Sequence, residues 1–198
     1  METKHVRTSG AYVLYKGLFP FQVGPTRKGD KLGVVRLGGH REEDETAEET
    51  AIREVFEESS MNIQLVNSPF TFFKRDWNDT AIKIKSADDI APILIKGTEP
   101  TASTAMYLAY SKTAPTPSSE TCGLLLLSRK DISLICNQKI TLERFIGQGG
   151  KALLSQRINI GLPLEPFPQL FFLAELFEKE ASLMDQVLSG LESGMERR

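Results

Sequence analysis

Apolar and polar positions change period several times along the chain, and each change marks an element. Ala11 to Tyr15 and Leu18 to Val23 are apolar-rich runs split by Gly17, and they read as strands. Pro25 to Asp30 reads as a turn. Leu32 to Leu37 reads as one strand that feeds Gly38 and Gly39. From residue 47 to 58 the period becomes helical, with no Gly or Pro and many Ala, Glu and Arg. Ala51, Ile52, Val55 and Phe56 fall on one side of that helix, as a face for a core. Glu54, Glu57 and Glu58 fall on the other, within an arc of about 100°.

Strand-like runs follow at Asn62 to Val66, Phe70 to Lys74, Ile93 to Ile95, Ala105 to Tyr110 and Gly123 to Leu127. Asp76 to Asp89 is polar and gives no clear pattern. Ser128 to Asp131 reads as a helix start, with short helices at Ile132 to Cys136 and Thr141 to Ile146. Thr113 to Glu120, with two prolines and two serines, is a loop, and Gly147 to Gly150 is a break. Pro163, Pro166 and Pro168 are expected to stop regular structure before the last element. From Gln169 to about Leu188 the apolar residues Leu170, Leu173, Phe177, Met184 and Val187 recur at helical spacing, and Leu191 extends them. One amphipathic helix is expected there. It packs on the chain's own core, covers a substrate, or joins two copies in a homodimer. The expected division is a main domain over residues 1–160 and a Pro-rich linker with a C-terminal helix over 161–198. Strands alternating with helices in this order predict an α/β fold with a mixed sheet.

Composition narrows the function without naming it. The chain has 198 residues, enough for one sizeable core. Its net charge of −2 gives no general attraction to nucleic acid or to anionic membranes. Met1 to Gly10 is polar and lacks the apolar centre of a secretory signal, and no apolar run reaches membrane-spanning length. A cytoplasmic location is therefore expected. Cys122 and Cys136 make no disulfide framework and read as reduced thiols. With only His5 and His40 besides, a zinc site is not expected.

The chemistry concentrates between Gly39 and Met61. Thr46 and Glu49 have the spacing of a capping box. Like charges at i, i+3 and i+4 repel, and clustered carboxylates raise one another's pKa unless a cation intervenes. Mg²⁺ suits such a ridge because it is hard and takes oxygen ligands, with Mn²⁺ as the alternative. Arg53, four residues from both Glu49 and Glu57, can brace either carboxylate.

The full spacing is Gly39, five residues, Glu45, seven residues, then Arg53-Glu54-Val55-Phe56-Glu57-Glu58-Ser59-Ser60-Met61. It resembles the signature of the Nudix hydrolases, G-x5-E-x7-R-E-U-x-E-E-x-G-U, where U is a bulky aliphatic residue. Ser60 stands where the family has its second glycine. A residue past a helix end often turns left-handed, which costs serine about 1 kcal/mol. Asn62 tolerates that conformation better, so the turn is expected slightly later.

The resemblance implies an α/β/α sandwich and Mg²⁺-dependent hydrolysis of a diphosphate bond in a nucleoside diphosphate linked to another group. It implies Glu54, Glu57 and Glu58 as metal-side carboxylates, with the Gly39 carbonyl as a fourth oxygen. Arg53 would then orient Glu57 or Glu49, and Glu45 would be an outer glutamate. Some members use an acid from a distant loop, and Glu120 is the candidate here. Arg27 and Lys28 in the turn, and His40 and Arg41 beside Gly39, are candidates for substrate phosphates. Phe19, Phe21, Phe72, Phe73 and Trp77 could supply a base-stacking ring, although aromatics on strands are more often core. The family also contains members that bind ligands without hydrolysis, which leaves a binding module as the alternative function. An isopentenyl diphosphate isomerase-like reading would need a cysteine upstream of the signature, and both cysteines lie downstream.

Overall fold

The computed structural model describes residues 2–98 and 101–196; the side chains of residues 98, 101, 102 and 191–196, Leu191 included, lie outside the described residues. The chain begins with β1 (Thr8–Leu14), β2 (Phe19–Pro25), β3 (Leu32–Val35), β4 (Leu37–His40) and α1 (Ala47–Ser59). It continues with β5 (Ile63–Val66), β6 (Thr71–Lys74), β7 (Ile82–Ile84), β8 (Leu94–Thr98), β9 (Thr101–Ser111) and β10 (Gly123–Leu127). Then come α2 (Arg129–Asn137), α3 (Leu142–Gly147), β11 (Lys151–Leu154), β12 (Leu164–Pro166), α4 (Pro168–Lys179) and α5 (Ala181–Glu196).

These strands form two mixed sheets. One has seven strands in the order β4-β1-β9-β8-β6-β7, with β5 also pairing β9. The other has five, in the order β11-β10-β2-β3-β12. Parallel pairs (β1 with β9, β6 with β8, β3 with β12) sit among antiparallel ones. The result is the expected α/β fold.

Period-2 alternation along β1 and β9 divides the core in two. Ala11, Val13, Ala105, Tyr107 and Ala109 face Ala47, Ala51 and Val55 of α1. Tyr12, Leu14, Met106 and Leu108 face the other way and share a core with the five-stranded sheet and with α2, α4 and α5. Helices thus cover both sides of the larger sheet. No helix among the described residues is long and apolar enough to cross a membrane.

Several local expectations need correction. The run Leu32 to Leu37 is two strands, because β3 pairs β2 in one sheet and β4 pairs β1 in the other. The chain crosses between sheets at Arg36. The polar stretch Asp76 to Asp89 holds β7, which gains its hydrogen bonds from β6. The prolines near residue 165 do not end regular structure: Leu164–Pro166 pairs with β3 at the sheet edge, where a proline is tolerated. The break at Gly147 to Gly150 leads directly into β11, which pairs with β10.

The C-terminal segment is two helices, and Glu180 ends the first. Its N–H still bonds to Leu176 O, while its carbonyl already accepts from Met184 N. Leu170, Leu173, Phe177, Met184 and Val187 are all buried within the chain's own core. The core face of α1 is narrower than expected. Ile52 and Phe56 are 43% and 51% exposed, because the buried stripe runs through Ala47, Thr50, Ala51, Val55 and Ser59 instead.

Candidate active site

The capping box forms as the spacing predicts. Thr46 Oγ1 accepts from Glu49 N (3.2 Å) and Glu49 Oε2 accepts from Thr46 N (2.8 Å). Glu49 is thereby committed to the helix start. Arg53 braces Glu57, the other candidate, at 2.8 Å. It also holds Glu45 (Nε to Oε1 2.5 Å, Nη2 to Oε2 2.9 Å) and Glu54 (Nη1 to Oε1 2.9 Å). Its Nη2 donates to the His40 carbonyl at 3.0 Å as well. One guanidinium fork therefore gathers three carboxylates and one backbone oxygen, a geometry lysine lacks. Thr50 Oγ1 adds a bond to Glu45 Oε2 at 2.9 Å. The Arg53 hydrogen bonds hold the Glu45 carboxyl down to about 2.

The glycine strand closes on the same ridge. Gly38 N donates to Glu58 Oε2 at 2.7 Å. A Cβ on Gly39 would lie 2.2 Å from Glu54 Oε2, so only glycine lets that carboxylate approach. In the β1–β4 ladder Gly39 sits opposite Ser9. Glu54 is 15% exposed, while Glu57 is 48% exposed. Glu58 is the deepest electrostatically: burial pushes its carboxyl up to about 8, with Glu54 adding to the rise and Gly38 N–H and Arg36 opposing it. A carboxyl in that position calls for positive charge nearby.

The remaining candidates are placed unequally. His40 reaches the ridge through its carbonyl, and its side chain is exposed. Arg41 turns to the N-terminal segment, where its Nη1 donates to Lys4 O at 2.6 Å. Arg27 and Lys28 are exposed at the tip of the β2–β3 hairpin. Arg27 lies five positions along the chain from Gln22 in β2, roughly 16 Å at about 3.3 Å per residue. The structure does not bring these two to the ridge. Thr116 N and Ser118 N donate to Ser59 O (2.8 Å) and Glu58 O (3.3 Å), which ties the Pro-Ser loop to the end of α1. Glu120 lies in that loop and is exposed, with its own N–H turned back to Ser118 Oγ. Phe19, Phe21 and Phe72 are core residues. Trp77 is half-buried with Lys96 Nζ 5.9 Å from its ring centre. Both cysteines are free thiols and half-buried.

Ser60 itself takes the left-handed conformation, with φ 55° and ψ 21°, and its N–H bonds to Phe56 O. The turn is not delayed to Asn62. Two residues of this site escape the signature, Gln22 and Arg36. Gln22 donates from Nε2 to the Arg36 carbonyl at 3.3 Å, and its side chain opposes the rise at Glu58. Arg36 is the one charge in the apolar run Leu32 to Leu37, which was the available signal.

Among the described residues no three His, Cys, Asp or Glu side chains stand ready as a finished metal cage. The donors are nevertheless all oxygens, the type a hard divalent cation takes. Four carboxylates (Glu45, Glu54, Glu57, Glu58) outnumber the Arg53 charge that binds three of them. The residues present fit such an ion.

No family model and no curated protein matches this chain. Among solved structures, the chain is similar to a NUDIX-family hydrolase from Clostridium perfringens, at 22% identity and a TM-score of 0.46, covering 73% of this chain and 92% of that one. A NUDIX hydrolase from Nitrosomonas europaea aligns at 13% identity and a TM-score of 0.42, over 81% of this chain and 78% of that one. An ADP-ribose pyrophosphatase from Streptococcus suis aligns at 14% identity and a TM-score of 0.41, over 63% and 74%. At this level of overlap, the function has to be read from the site's own residues.

Proposed function

We propose that the chain is a Nudix-type pyrophosphohydrolase. It would cut the phosphoanhydride of a nucleoside diphosphate linked to another group, with Mg²⁺ or Mn²⁺ as its ion. One observation carries this reading: Arg53 draws Glu45, Glu54 and Glu57 together at the point where Gly38 and Gly39 close on Glu58 and Glu54. A fold that needed only a stable helix has no use for so much like charge on one ridge.

Glu54, Glu57 and Glu58 are the groups we assign to the metal, with the Gly39 carbonyl as a fourth oxygen. When bound, the ion would neutralise phosphate charge and acidify a water. The chain's part is to aim its carboxylates, which Arg53 does from one side and the Gly38 N–H from the other. Arg53 acts as a positioning residue. Glu120, on the loop anchored to the end of α1, is the acid we assign to take the water's proton. His40 is proposed for the substrate's phosphates, and Arg41 as well once its bond to the Lys4 carbonyl is given up.

The test is a panel of nucleoside triphosphates, nucleotide sugars, dinucleoside polyphosphates and ADP-ribose, with product analysis and with and without Mg²⁺. Cleavage that needs the ion supports the reading. Tight binding of one compound without cleavage would favour the binding-module alternative instead.

A further inference from the structure

The site holds a charge that the proposed chemistry leaves unused. Arg36 lies at the crossing from β3 to β4 and is only 7% exposed. Two glycines make room for it. A Cβ on Gly38 would come 2.2 Å from Arg36 Nη1, and one on Gly10 would come 2.9 Å from it. Nη1 donates to Ser9 O at 3.3 Å, whereas Nε finds no acceptor among the described residues. Burial lowers the guanidinium's pKa and the charges of Glu58 and Glu54 oppose that, and the Gly38 backbone against which Nη1 packs donates its N–H to Glu58 Oε2 at 2.7 Å. A core position needs only an apolar side chain, and burying a guanidinium there is costly unless the charge is used. It also stays charged at any working pH.

We infer that Arg36 is a fixed cation of the carboxylate ridge and limits the substrate-free chain to one divalent ion. Once an ion has displaced the proton of Glu58, the carboxylates Glu45, Glu54, Glu57 and Glu58 bring four negative charges, and Arg36 and Arg53 bring two positive ones. The two negative charges left over match one divalent ion. A second ion would have to enter beside a guanidinium that cannot leave. This rests on the metal-dependent reading above and adds a number to it.

The experiment is a Mn²⁺ titration of the full chain without substrate, followed by the paramagnetic signal of free Mn²⁺. The wild type is expected to take up one ion per chain. Arg36→Met is expected to take up a second, or to bind the first about tenfold more tightly, and Arg36→Lys to stay at one. Two ions on the wild type, or an unchanged titration in Arg36→Met, would overturn the inference while leaving the metal assignment in place. No uptake by the wild type at millimolar Mn²⁺ would remove the metal assignment and this inference with it. If Arg36→Met does not fold by circular dichroism, the wild-type count decides alone.

Discussion

Among the described residues charge is buried in two places, and the two are balanced differently. Around Lys74, 7% exposed at its side chain, the account of buried charge closes within the chain, because the second lysine on its carboxylate partner is exposed to solvent. Lys74 Nζ pairs with Glu175 at 2.9 Å and lies over the Phe172 ring, and the other Glu175 oxygen takes Lys179 at 2.9 Å. Around Arg53 it does not close: three carboxylates share one guanidinium and a fourth, Glu58, hangs on a backbone N–H. A charge cluster that serves the fold is complete without help. One left with excess charge of a single sign is arranged for something that arrives from outside.

This contrast can be broken most directly at Glu57. Glu57→Gln is expected to lower kcat by ~100-fold or more, equivalent to about 2.7 kcal/mol, with the circular dichroism spectrum unchanged. Near-native turnover in that variant would place the Arg53 cluster with the structural one. Glu175→Gln should do the reverse. It leaves Lys74 buried beside a neutral partner, at a cost of about 2 kcal/mol, seen as a fall of roughly 4–8 °C in Tm. Its kcat should match the wild type's.

A third test uses pH. Burial raises Glu58 to about 8, so the folded chain keeps a proton that the unfolded chain releases above an ordinary carboxyl's pKa. The stability of the ion-free chain should therefore fall as pH rises from about 4.5 to about 8, and level off beyond. A bound ion needs the ionised carboxylate, so the gain in Tm from Mg²⁺ should grow over the same window. Equal gains at pH 6 and pH 8.5 in a thermal melt would take Glu58 out of the ion's shell. The smallest effect belongs to Ser60, held at φ 55°. Ser60→Gly should raise stability by roughly 0.5–1 kcal/mol in a denaturant titration, with activity unchanged.

Much of this was legible where the information is local. The capping box at Thr46 and Glu49 follows from three-residue spacing, and so does the second one at Ser128 and Asp131. The ridge of Glu54, Glu57 and Glu58 follows from helical pitch. Ile52 and Phe56 were misplaced because pitch gives the sides of a helix but not the width of the sheet it meets. Glu180 breaks the C-terminal segment with no Gly or Pro to signal it. The weak edge strands β7, β11 and β12 exist through their partners rather than through their own pattern.

The sequence by itself determined the α/β class, the acidic helix, its cap and the glycines beside it, because these depend on residues close together in the chain. The tertiary structure decided that Arg53 takes Glu45 and Glu54 along with Glu57, that Arg27 and Lys28 stand away from the ridge, and that Arg36 and Gln22 lie under it. Those contacts join β2, the β3–β4 crossing and α1. Which of them meet is set by strand pairing and burial across the whole fold, and no spacing along the chain encodes that.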